Sequence, residues 1–192
     1  ASVSAVTSFA NASGGTLILL STQTASNSAT ISFTTGLNST YDEYQFKFID
    51  IHPRTNAQSL VFGLSTDSGS NYNVTKTSSA FYAFHTEADS TGFSYDSVRD
   101  QAQSTAFQEI SGNGENGADA IISGSLTLFN PSSTTYVKHF ISDTNTYGDG
   151  PDTIRLFTAG YGNTTSAINA IQFKMASGNF DGIIKLYGLK KS

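Results

Sequence analysis

From Ile168 to Leu189 the chain reads I-N-A-I-Q-F-K-M-A-S-G-N-F-D-G-I-I-K-L-Y-G-L. Ile171, Phe173 and Met175 fall on one side and Gln172 and Lys174 on the other, the period of two that a half-buried strand requires. S-G-N-F-D-G then interrupts, with Gly178 and Gly182 supplying turn conformations. A second run sets Ile184 and Leu186 against Ile183, Lys185, Tyr187 and Leu189. Apolar residues on both of its faces predict a strand covered on both sides, inside a sheet or at a subunit contact. The two runs together predict a closing β-hairpin that seals a core.

The same grammar recurs upstream. Strands are expected over 16–24 and 29–34, through the alternation of Tyr44, Phe46 and Phe48, through Leu60, Phe62 and Leu64, and over 74–86. Asp50 breaks the third of these before Ile51, which predicts a bulge or a strand end ahead of His52-Pro53. Further strands are expected at Ile122–Leu128, at 136–142 and at 154–159. The segment 87–119 is irregular. Ser97-Val98-Arg99-Asp100 has the form of a capping box, and Val98, Ala102, Ala106 and Ile110 follow at helical spacing, so a short helix competes there with loop. Gly112–Asp119 and the stretch 143–152 read as loops. Nine or ten strands without a long helix predict an all-β chain: an antiparallel β-sandwich, jelly-roll-like. The expected division is an extended N-terminal arm over 1–15, carrying Val3, Val6 and Phe9, and a single sandwich domain over 16–192.

Composition supports a folded all-β chain. Charged residues are 13% of the 192, about half the usual share. Ser, Thr, Asn and Gly fill the gap, while 14 Phe and 9 Tyr set the chain apart from disordered sequences. A net charge of −5 and a pI near 4.9 argue against nucleic acid as a partner, because scattered lysines and arginines make no basic patch. No apolar run is long enough for a membrane-spanning helix. Leu17–Leu20 is too short for a signal-peptide core. With no cysteine, stability must come from the core or from association.

Candidate chemistry is thin. His52, His85 and His139 sit in separate segments without metal-ligand spacing and read as structural or surface residues. No G-x-S-x-G elbow occurs among the many serines. Glu87, Glu109 and Glu115 are acids near loops, the raw material for a glycan-cleaving pair and nothing more specific. Asp143, Asn145, Asp149 and Asp152 could offer oxygen ligands to calcium, but Tyr147 and Ile154 stand where an EF-hand needs oxygens, and Asp and Asn also favour turns. Tyr72, Tyr82, Tyr95, Tyr136, Tyr147 and Tyr161 suit interfaces or core more than sugar stacking. The N-x-[ST] sites at Asn11, Asn38, Asn73 and Asn163 are what this Asn, Ser and Thr content produces by chance. The residues therefore predict no catalytic, cofactor-binding or metal-binding residue, and no enzyme.

The close I-x-x-I-x-F-x-M-x-S-G-N-F-x-G-I-I-K-L-Y-G-L resembles the C-termini of β-sandwich structural proteins of tailed bacteriophages, both capsid decoration (cement) proteins and tail fibre or spike domains. It covers about the last 25 residues. The resemblance implies a non-enzymatic virion structural protein, homotrimeric, assembled into the virion in the host cytoplasm. A decoration protein that stabilises the head by binding the major capsid protein or other virion proteins is favoured by the short chain, the missing heptad stalk and the arm. The alternative is a tail fibre, receptor-binding or carbohydrate-binding sandwich with a host surface glycan as its partner. A glycan-cleaving spike is a third reading.

Overall fold

The computed structural model describes residues 17–189. The expected arm, 1–15, lies outside them. Thirteen strands and no helix occur among the described residues: β1 (Leu17–Ser28), β2 (Ile31–Phe33), β3 (Glu43–Pro53), β4 (Leu60–Ser65), β5 (Lys76–Thr86), β6 (Thr91–Tyr95), β7 (Gln101–Ser104), β8 (Gln108–Glu109), β9 (Ile122–Phe129), β10 (Lys138–Tyr147), β11 (Asp152–Gly162), β12 (Ala170–Met175) and β13 (Phe180–Leu189).

They form two antiparallel sheets packed as a sandwich. The large sheet runs β1-β13-β3-β9-β10-β11-β5-β6, with β7 also on β5, and the small sheet runs β2-β12-β4-β8. The first four strands of the large sheet and the four of the small one follow the order of a jelly roll, a two-stranded antiparallel ribbon wrapped into two facing sheets. The remaining strands widen the large sheet beyond β9.

Between the sheets lies one apolar core. Alternation selects its members: Phe46 and Phe48 from β3, Leu126 and Leu128 from β9, Ile171 and Phe173 from β12, Ile184 and Leu186 from β13, all 2% exposed or less. Phe173 sits among four other rings, with centroids 5.1 Å from Phe46, 5.2 Å from Phe48, 6.3 Å from Phe33 and 6.4 Å from Phe62. All six residues of β4 are buried.

The closing stretch departs from expectation in an instructive way. β12 and β13 are both strands, but they do not pair with each other. β12 joins β2 and β4, whereas β13 joins β1 and β3. The S-G-N-F-D-G run carries the chain across the sandwich from one sheet to the other, so the expected hairpin is an arch between sheets. Lying between β1 and β3, β13 has neighbours along both edges, and its outer face, Ile183, Lys185, Tyr187 and Leu189, is half-buried rather than covered. The break at Asp50 is a bulge: its φ is +52°, and the pairing of β3 with β9 shifts between Phe48 and Ile51 while β3 continues to Pro53.

Two other expectations need correction. The stretch 143–152 is mostly strand, because β10 continues through Tyr147 and only 148–151 turns into β11. Its inward side is polar: Ser142 donates to the Ser125 carbonyl at 3.1 Å and Thr144 to the Ile110 carbonyl at 2.6 Å. The segment 87–119 holds β6, β7 and β8 and no helix. There Asp96, not Ser97, accepts the amides of Val98 and Arg99, closing a single turn before β7.

Candidate interaction surface

The residues singled out by sequence are dispersed. His52 on β3 has its ring Nδ1 2.8 Å from the Ala120 carbonyl. His85 on β5 is exposed and 3.2 Å from Asp89. His139 on β10 is exposed, with its ring 6.0 Å from that of Tyr161. Among the described residues no three His, Asp or Glu side chains are grouped as metal ligands. Of the four oxygen donors of 143–152, Asp143 and Asn145 lie on β10, Asp149 lies in the turn and Asp152 opens β11. Arg155 holds Asp143 through two bonds, 3.0 and 2.7 Å. Asn145 accepts from Thr153 at 2.7 Å, and Asp149 accepts from Asn56 at 2.5 Å. Asp152 starts the inward-facing positions of β11.

Glu109 is engaged by Arg99, Nε to Oε2 3.2 Å, in a network with Asp96. Glu87 and Glu115 are instead brought, with Asp119 and Asp152, around Tyr147. Burial first, and then these carboxylates, push the Tyr147 phenol above its ordinary pKa. Burial, with the Asp149 charge adding to it, likewise raises Asp152. Three shallow hollows of about 340, 250 and 280 Å³ meet at Thr153 beside this end of the sheet. Asn145 and His85 each line two of them. What gathers here is hydrogen-bonding and negative charge on an open surface.

Of the tyrosines, Tyr72 packs near Phe107, Tyr82 stacks on Phe84 and Tyr161 faces His139. Tyr95 is 55% exposed and donates to Asp100 at 2.7 Å, and Tyr136 is 70% exposed.

Two apolar surfaces went unread in the sequence. The first is the outward side of the added strands β10, β11, β5 and β6. Cross-strand register aligns Asp143, Phe157, Phe81 and Tyr95 in one row, with Asn145, Arg155, Ala83 and Phe93 beside it. Phe157 and Phe81 stack at 4.9 Å and 19°, Phe81 meets Phe93 at 5.6 Å, and the Arg155 guanidinium lies 4.5 Å over Phe157. The available signal was the alternation of Phe81 and Ala83 against Tyr82 and Phe84, repeated as Phe93 and Tyr95. The second surface is the edge strand β1, which has no neighbour on its far side among the described residues and where Leu17, Ile18 and Leu19 are 42, 37 and 51% exposed.

The interior holds a further surprise. Lys76 and Lys138 are wholly buried on either side of Gly162, with which both are in register. Among the described residues each ammonium donates only to backbone carbonyls: Lys76 to Val74, Lys138 to Tyr136 and Thr164. Burial lowers both pKa values, that of Lys76 to about 8.

Comparison with protein-family models, curated proteins and solved structures returns no match for the chain.

Proposed function

We propose that the chain is a non-enzymatic structural protein of a tailed-phage virion, in first place a decoration protein of the head. It works by binding copies of itself, as a trimer, and other virion proteins. The observation that carries this reading is the edge of the large sheet. Among the described residues β1 pairs on one side only, with β13. Across Leu17–Ser28 it has no charged residue and no proline, the usual guards of a free edge, and it opens with three exposed aliphatic side chains. An edge of this kind is suited to strand addition or apolar packing by another chain. Copies fixed on a shell stabilise it by mass action, since they bind the assembled state and not its separated parts. The test is to quantify the chain in purified particles. A fixed stoichiometry with the shell proteins is expected; abundance in the lysate with none in the particles would contradict the proposal.

The hollows around Thr153 favour a second reading, a tail-fibre or carbohydrate-binding module that meets a host glycan. Saturable binding on a glycan array, lost in Thr153→Arg, would establish it in place of the first.

A further inference from the structure

We infer that the outward face of β10, β11, β5 and β6 is where a second copy of this chain docks. The inference rests on the self-associating role proposed above and adds the surface that performs it.

Shape is the first support. Small or flat side chains, Ala83 and Ala159 among the rings of Phe81, Phe93 and Phe157, leave a broad surface whose one hollow, beside Ala83 and Arg155, is shallow. Such a surface matches another protein better than it encloses a small ligand. Size is the second. With strands about 4.8 Å apart and residues about 3.3 Å along them, three long strands and the short β6 present roughly 550 Å² in projection. Side chains standing out of the plane raise the accessible area toward the ~800 Å² per partner of a standard stable contact.

Charge selects the partner. The chain carries −5 overall, so two copies repel unless they meet where charge is absent or paired. On this face the one carboxylate, Asp143, and the one guanidinium, Arg155, are closed on each other in a two-bond pair, and Arg155 also covers Phe157. Four other carboxylates, Glu87, Glu115, Asp119 and Asp152, gather at one end of the face, around Tyr147, while Asp100 accepts from Tyr95 and Asp89 lies 3.2 Å from His85. An aromatic centre with one satisfied Arg and no unpaired charge is the composition of the core of a protein contact, and it lets like-charged copies meet with their acidic ends kept apart.

Sedimentation velocity on the purified protein over a wide concentration range tests this. The wild type should run as a multiple of the 20.3 kDa chain. Phe93→Asp and Ala159→Arg, both at exposed positions, should each shift it to a single chain with an unchanged thermal midpoint. Leu19→Lys, on the β1 edge, should leave the multiple intact. A wild type that stays single at every concentration overturns the inference, including the case in which the face proves to bind a glycan. Assembly that survives both face variants also overturns it, while leaving membership of a particle, measured separately, untouched.

Discussion

Gly182 on β13 lies against Asp50 on β3 so closely that a Cβ on the glycine would stand 2.6 Å from the Asp50 carbonyl oxygen. Both residues have positive φ, +128° and +52°, and the register between their strands slips beside them, between Asp181 and Ile183. The bulge in β3 and the glycine in β13 are thus one device, each making room for the other. Gly182→Ala adds a side chain where neither φ nor space admits one. A loss of about 2–4 kcal/mol is expected, read as a lower denaturant midpoint.

The five-ring cluster around Phe173 makes that side chain the most exacting position in the core. Phe173→Ala removes a ring that four others touch, and strands on both sheets limit how far the gap can close. The expected cost is about 3–5 kcal/mol. Urea unfolding checks it: the midpoint should fall with little change in slope, because the surface exposed on unfolding is almost unchanged.

Lys76 gives the fold a pH dependence of definite sign. Burial lowers its pKa from 10.5 to about 8, so the folded chain holds that proton more weakly than the unfolded chain does. Below about pH 8 both states are protonated and the full destabilisation is present. Between about 8 and 10.5 the folded state releases the proton first and stability climbs; above 10.5 the penalty is gone. Lys76→Met should therefore stabilise the protein at pH 7 by about 1–3 kcal/mol. The lost donor to the Val74 carbonyl sets the lower end. The difference between variant and wild type, followed by chemical denaturation, should shrink as pH rises to 10.5.

The β1 edge should matter to assembly and little to folding. Leu17→Lys with Leu19→Lys places charge on an edge that is already half in solvent, the device by which other sheets block strand addition. The thermal midpoint should move by only a few degrees, while the amount of chain recovered in particles falls at least tenfold. Equal incorporation of variant and wild type would remove the edge from the assembly contacts.

Strand identity was legible wherever one face is apolar. Phe46 and Phe48, Phe62 and Leu64, and Ile171 and Phe173 announce themselves by alternation, and Asp50 announces its bulge by breaking it. Partnership was not legible. S-G-N-F-D-G has the local chemistry of a hairpin turn, but the sheet each flanking strand joins is decided by β1, β2, β3 and β4, more than a hundred residues away. The second half of β10 looked like loop because its buried face is Ser142, Thr144 and Thr146, and the carbonyls that accept from the first two, those of Ser125 and Ile110, are not brought near by sequence alone. The same blindness hid Lys76 and Lys138, residues that belong outside by type and are held inside by backbone acceptors. The aromatic face was missed because Phe81 and Phe93 sit on the outward side of their strands, where rings are not sought.

An electron cryo-microscopy map of the intact particle tests the central claim most directly. The expected result is a two-sheet jelly roll in sets of three on the outer surface of the head, with β1 against a neighbouring chain and the face bearing Phe81, Phe93 and Phe157 covered by another copy. A map that accounts for every surface density with other chains, from particles whose host makes this protein in quantity, would contradict it.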